Sequence, residues 1–405
     1  MKVIFVSTMY SDVDRDLAQS KKPGTVSGHK FQENLIKGLH ENNCDLSVIN
    51  VSRIGTYPDY PKIAIHTKDR NWFGEIKGVD VGFINLPLLN YFSQWFACFK
   101  TLRKIIKGNN NEKFVLITFN SNLHTCFPMQ LIRRIYKNVR LCNIIGDLHG
   151  AYGIENSTPG LKGMLIRFVE SFQDSIGKNF DMFVFLTKEM AQALRVEHKP
   201  HCVMEGVYTL DRKDTGIDDS AEESIKTIFY AGSLSQEYGI AHLLRAFSLI
   251  PSSDYQLWLA GGGSTVPLIQ EYAACDSRIQ YLGFITPQEV KERQRKSTVL
   301  ISPRTSEHEF VKYSFASKTL ECLASGKVYI AHRLPCDPPE YADHIQYTVD
   351  ESDEALRDKI IEVCELPRSE RERIGAEARE FILRNKNPRA QTRRIVDLYS
   401  NFSWD

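Results

Sequence analysis

Arg304, Lys318 and Glu321 stand within one stretch, residues 299–326, in an order that suits a nucleotide diphosphate. Val299-Leu300-Ile301 reads as a buried parallel strand, and Ser302-Pro303-Arg304 closes it with a cation. A polar loop leads to a helix that the pattern starts near Ser314, with Ser314 or Ser317 as its cap and Gly326 as its stop. Lys318 lies in the first turns, and Glu321, three residues on, shares its face. A helix N-terminus reinforced by cations suits phosphate, and a carboxylate one turn further suits a ribose diol. The same spacing is also that of an ordinary exposed Lys–Glu pair with an arginine in a loop, so the surrounding elements decide.

Those elements repeat a strand–loop–helix pattern twice. In the second half Thr227-Ile228-Phe229-Tyr230-Ala231 is a strand ending in Gly232-Ser233-Leu234, and Gln256-Leu257-Trp258-Leu259-Ala260 is a strand ending in Gly261-Gly262-Gly263. Glycines at those ends let a ligand approach the backbone. Thr286-Pro287-Gln288-Glu289 has capping-box form with proline at the first helical position. In the first half the strand 2–8 and the loop holding Gly24 and Gly28 precede a helix carrying Phe31, Leu35, Ile36 and Leu39. That loop suits either the approach of a phosphate or acceptor, or an ordinary mobile surface loop. Strands follow at 46–51, 80–85, 114–119, 141–145 and 181–187, with a helix over about 160–177. His124, Asp147 and His149 fall just past strand ends, where sheets of this kind keep their sites. Domain boundaries are expected at 1–208 and 226–386. An acidic linker lies between them at 209–225, and a helix over about 387–405 is long enough to return to the first domain. Asp218-Asp219 lie in that linker without supporting ligands, so they are not read as a metal site.

Composition excludes other classes. The chain has 405 residues, 42% hydrophobic and 25% charged, which fits a multi-domain globular protein. A net charge of +1 gives no case for nucleic acid as a partner. Nine cysteines are scattered without a CxxC pair, as in a reducing compartment. Residues 1–7 are strand-like and too short for a signal peptide, and no run reaches about 18 apolar residues, so the expected location is cytoplasmic. Residues 86–107 combine Leu88, Leu89, Tyr91, Phe92, Trp95, Phe96 and Phe99 with Lys100, Arg103, Lys104 and Lys107. They read as a core helix with a solvated basic edge, or as an interfacial helix in peripheral contact with the cytoplasmic face of an anionic inner membrane.

The second half resembles the retaining, sucrose-synthase-like glycosyltransferases of GT-B fold, in the branch common in capsule and exopolysaccharide assembly. The residues that carry this are Phe229-Tyr230-Ala231-Gly232-Ser233-Leu234, Trp258-Leu259-Ala260-Gly261-Gly262-Gly263, Ile279-Gln280-Tyr281-Leu282-Gly283-Phe284 and, above all, Ser314-Phe315-Ala316-Ser317-Lys318-Thr319-Leu320-Glu321-Cys322-Leu323-Ala324-Ser325-Gly326-Lys327. Residues 30–39 and 123–125 look like the same branch. The resemblance implies an α/β protein of GT-B architecture, with two doubly wound Rossmann-like domains facing across a cleft.

It also implies transfer of a sugar from a UDP- or GDP-sugar to a glycan or lipid-linked acceptor with retention of configuration, in capsule, exopolysaccharide or O-antigen synthesis. Arg304, Lys318 and backbone near Gly232, Ser233, Gly261, Gly262 and Gly263 would hold the diphosphate; Ser317 would lie beside them and Glu321 on the ribose. His124 and, second, Asp147 would stand near the transferring sugar. No metal and no further cofactor is expected. Three departures from the family pattern stand out. Tyr313 replaces the first glutamate of a Glu-x7-Glu pair, and Ser233 and Tyr238 replace the usual Arg and Lys, a role assigned here to Arg304 and Lys318. Two other readings are compatible with the same residues, a non-catalytic nucleotide-sugar-binding scaffold and a nucleotide-sugar epimerase.

Overall fold

The computed structural model describes residues 1–21, 26–109, 111–148, 164, 171–173, 175–210 and 225–404. His149, Gly24, Asp218-Asp219 and most of the expected linker and of the helix over 160–177 lie outside the described residues. The chain divides into two compact units: residues 1–207 with 388–405, and residues 208–387.

The first unit is built on an eight-stranded sheet. In chain order its strands are β1 (Lys2–Ser7), β2 (Asp45–Asn50), β4 (Lys68–Trp72), β5 (Ile76–Asp80), β7 (Phe114–Phe119), β8 (Val139–Ile145), β9 (Met182–Phe185) and β10 (His201–Val203). Two short strands, β3 (Ala64–Ile65) and β6 (Phe83–Ile84), pair with each other separately. The sheet order is β10-β9-β8-β7-β1-β2-β5-β4, parallel apart from the antiparallel edge strand β4. Continuous apolar runs explain the centre: every residue of Phe114-Val115-Leu116-Ile117-Thr118-Phe119 is buried, as expected for a strand covered on both faces. The helices include α1 (Val13–Gln19), α2 (Ser27–Glu41), α3 (Leu89–Lys107), α4 (Leu123–Ile135) and α5 (Glu189–Ala193).

The strand expected over 80–85 is a correction. The main sheet uses β5, which ends at Asp80; the chain then turns, and Phe83–Ile84 pairs with β3 instead. Gly82 marks the turn, because a Cβ there would press on Ile65 and Thr67.

The second unit holds β11 (Lys226–Ser233), β12 (Tyr255–Gly262), β13 (Ile279–Gly283), β14 (Val299–Ser302), β15 (Val328–Ala331) and β16 (Gln346–Tyr347). Their order is β13-β12-β11-β14-β15-β16, all parallel. In order of appearance this is 3-2-1-4-5-6, the doubly wound nucleotide-binding arrangement. Its helices are α6 (Ile240–Ser248), α7 (Val266–Cys275), α8 (Pro287–Lys296), α9 (Ser317–Ala324), α10 (Asp353–Glu365) and α11 (Arg368–Asn385). Thr286 and Glu289 form the capping box of α8 reciprocally.

The last helix, α12 (Pro388–Ser400), packs in the first unit. Asn42 bridges its start, donating to the Arg389 carbonyl at 2.8 Å and to Thr392 at 3.0 Å, and Tyr399 meets Cys44 at 3.0 Å. Gly38 is required at this crossing, since a Cβ there would overlap the Pro388 carbonyl.

Candidate active site

In the second unit the strand order reverses between β11 and β14, the point where doubly wound sheets bind ligands. Gly232 and Ser233 end β11, and Arg304 follows the end of β14 by two residues. Arg304 is only 3% exposed. Its Nη1 donates to the Ser314 carbonyl at 2.9 Å, and its guanidinium lies over Tyr238 at 5.8 Å and Phe310 at 5.0 Å. Nε and Nη2 are buried and meet no acceptor among the described residues. Leaving such donors unmet costs about 1–3 kcal/mol each, more for a charged group. Donors of this kind are met by ordered water or by a ligand with oxygen atoms. Tyr238, over which the guanidinium lies, is one of the positions that depart from the resembling family's pattern.

The bond to Ser314 also sets the loop before α9. Neither serine expected to cap that helix does so. The N-cap is Ala316, which offers no side-chain acceptor. Ser314 terminates a single 3-10 turn over Glu309–Tyr313 and is held through its carbonyl, while Ser317 is already the first helical residue and exposed. The N–H groups that open α9 therefore keep their capacity for an anion. Lys318 and Glu321 pair at 3.4 Å with both side chains half exposed. An exposed pair of this kind contributes only a few tenths of a kcal/mol, so a ligand separates it at little cost. Tyr313 is half-buried at the end of the 3-10 turn. The structure thus brings Arg304, Ser317, Lys318 and Glu321 to one strand end.

The glycines have a job within the chain itself. Gly232 pairs in register with Gly261, and Ser233 with Gly262. A Cβ on Gly261 would overlap the Gly232 carbonyl oxygen, one on Gly263 the Leu234 carbonyl group, and one on Gly262 the ring of Phe284. The close approach they allow is first of all that of β11 to β12 and the loop after it. Tyr281 donates its hydroxyl to the Gly261 carbonyl at 3.0 Å, and Tyr230 donates to the Ser233 carbonyl at 2.8 Å, fixing both ends. Phe284 itself is 86% exposed. An exposed aromatic ring against strand-end glycines offers a face on which a planar group can stack. In the sequence Phe284 stands only as the last residue of the 279–284 motif, where nothing distinguishes it from core.

His124 and Asp147 belong to the first unit. β7 and β8 are neighbours, so the two residues lie just past adjacent strand ends. His124 is in the first turn of α4, beside the reversal of strand order between β1 and β7. Asn120, in a left-handed conformation at φ 60°, ties the two ends by accepting from the Gly146 N–H at 2.7 Å. This residue was not singled out in the sequence. Burial pushes the His124 imidazole down to about 4. At neutral pH the ring is an uncharged donor and acceptor. In an unfolded chain it takes its proton near 6.5. A folded value below the unfolded one means stability is lost as pH falls through that window. His124→Gln should therefore flatten the decline in melting temperature between pH 6.5 and 4. It should also leave unchanged any acid limb of activity centred near pH 6.5. A limb that vanishes in the variant would give His124 a titration the folded ring does not have.

Among the described residues no three His, Cys, Asp or Glu side chains come together in a way that holds a metal ion. Residues 213–381 match the family model of the glycosyl transferases group 1. No curated protein matches the chain by sequence. Many solved structures resemble it, several over its length. A sucrose-phosphate synthase from Thermosynechococcus elongatus superposes with a TM-score of 0.62 at 14% identity, covering 99% of this chain and 98% of that one. The lipopolysaccharide outer core galactosyltransferase WaaB gives 0.61 at 14%, covering 99% and 100%. S. aureus TarM, in complex with fondaparinux, α-GlcNAc-glycerol and UDP, gives 0.59 at 11%, covering 99% and 100%. Residues 213–381 are thus similar to the glycosyl transferases group 1, and the chain has a mixed α/β GT-B fold of two Rossmann-like units.

Proposed function

We propose that this protein transfers a sugar from a nucleotide-diphosphate sugar, of the UDP or GDP type, to a glycan or lipid-linked acceptor. The observation that carries this is the Arg304 guanidinium, buried with two unmet N–H groups beside an uncapped helix start, where the strand order reverses in the matched domain. When the glycosidic bond breaks, negative charge grows on the diphosphate. Arg304, the first N–H groups of α9 and Lys318, released from Glu321, stand where they stabilise it. Glu321 then accepts from the ribose hydroxyls, and Phe284 stacks on the base. Fixed cations supply the charge that a divalent metal otherwise would, so we propose a metal-independent reaction. Retention of configuration, and a role in capsule, exopolysaccharide or O-antigen assembly, rest on the resemblance of residues 314–327 to that branch. WaaB, one of the structures of like fold, is a lipopolysaccharide galactosyltransferase.

The test is transfer from a panel of UDP- and GDP-sugars to oligosaccharide and lipid-linked acceptors. One donor is expected to give product at undiminished rate in excess chelator. Lys318→Ala should lower that rate roughly tenfold or more, with the fold unchanged. A donor converted to its epimer without acceptor, or bound without turnover, would replace this reading. A strict metal requirement would remove the metal-independent part alone.

A further inference from the structure

We infer that α3 is a membrane-docking element that seats the first unit on an anionic lipid surface. The inward stripe of this helix begins with polar side chains: Asn90 and Gln94 are buried, followed by Cys98, Leu102 and Ile106. Asn90 is anchored inside by a 2.8 Å bond to Thr56. The apolar residues of the same turns face solvent, Leu88 at 77%, Phe92 at 71% and Phe96 at 58% exposure, with Leu89 and Tyr91 also exposed. Burying the aromatic face is the ordinary outcome for a helix on a sheet, so its exposure here is informative. Leu88 adds to this: it holds φ 65°, a conformation that costs a bulky residue about 1–3 kcal/mol, and the result is a branched apolar side chain in water.

Charge says what covers the patch. At roughly 100° per residue, Leu89, Phe92, Phe96, Lys100, Arg103 and Lys107 fall in one sector of the helix. Its first half is apolar and its second half basic, and α3 contains no acidic residue. All four cations of the helix, these three and Lys104, are exposed. Apolar side chains beside a row of cations match a bilayer with phosphate headgroups. A second copy of this chain would set the same cations against each other. No helix among the described residues is long and apolar enough to cross a membrane, so α3 lies on the surface. The placement also serves the chemistry. Trp95 touches Phe127 at 5.9 Å, and Phe127 is one helical turn from His124 on α4. A lipid-linked acceptor would meet the first unit at that end.

The experiment is sedimentation of the full chain with vesicles of phosphatidylglycerol and phosphatidylcholine in equal parts, and with phosphatidylcholine alone. It uses no nucleotide, so its outcome is independent of the donor reading. Binding is expected only to the anionic vesicles and should weaken in high salt. Phe92→Ser with Phe96→Ser should reduce it on the order of tenfold or more, and Lys100→Ala with Lys107→Ala by roughly fivefold per lysine. Unchanged melting of both variants keeps a loss of binding from being a loss of fold. Wild-type protein that stays in the supernatant with anionic vesicles, or variants that sediment as it does, overturn the inference. So does a concentration-dependent dimer in the absence of lipid that Phe92→Ser with Phe96→Ser dissociates.

Discussion

Arg304→Met abolishes stabilisation by nucleotide and lowers transfer by roughly 10²- to 10³-fold, while the ligand-free protein melts at the same temperature or higher. The two halves of this expectation come from the same geometry. In the ligand-free protein the guanidinium makes one bond, to Ser314, and keeps two buried N–H groups without acceptors among the described residues. A thioether of similar length has no donors to leave unmet and keeps the contact with Tyr238 and Phe310. The Ser314 carbonyl loses its partner, but that residue is only half-buried, and water takes the place. Removing two donors that cost about 1–3 kcal/mol each offsets the lost bond and stacking.

With ligand the balance inverts. Saturating nucleotide at a hundred times its dissociation constant stabilises the wild type by about 2.7 kcal/mol, and the variant should show little of this. Arg304→Lys should fall between the two, because an ammonium does not present two N–H groups in a fixed plane. Differential melting with UDP and GDP separates the cases. A variant that is destabilised alone and still responds fully to nucleotide would make Arg304 a structural residue and leave the diphosphate site elsewhere.

That prediction depends on what side chains meet, and this is where sequence reading ends. The alternation of apolar runs with amphipathic segments marks most parallel strands of both sheets, because strands covered on both faces have little room for polar residues. Residues 314–327 were legible through their resemblance to known transferases. The edge ribbon of β4 and β5 was not, since Lys68-Asp69-Arg70-Asn71-Trp72 has no apolar run to mark a strand. The caps expected at Ser314 or Ser317 follow from composition, whereas the helix start follows from a bond made by Arg304, ten residues before Ser314. In α3 the helical period was legible, but not that its inward stripe begins with Gln94 and with Asn90, which is bonded to Thr56. Glycines at strand ends were noticed; that they face one another depends on the register of two strands more than twenty residues apart.

Gly261→Ala tests that register. Gly261 has φ 130°, which a residue with a side chain rarely adopts, and an added Cβ would overlap the Gly232 carbonyl oxygen. Neither partner yields easily: both are backbone, and the Tyr281 hydroxyl holds the Gly261 carbonyl from the other side. Backbone strain and overpacking together should destabilise the second unit by roughly 2–5 kcal/mol, lowering its melting temperature on the order of 10 °C. Gly283→Ala supplies the contrast. It also has positive φ, at 67°, but a Cβ there meets nothing within 4 Å, so only the conformational cost of about 1–2 kcal/mol remains. If the two variants melt together, overlap with Gly232 contributes nothing and the strand ends adjust freely. If Gly261→Ala is much the worse and also weakens nucleotide binding in whatever fraction stays folded, the fit of β11 to β12 is part of what shapes the donor site, because the end of β11 beside Arg304 moves with it.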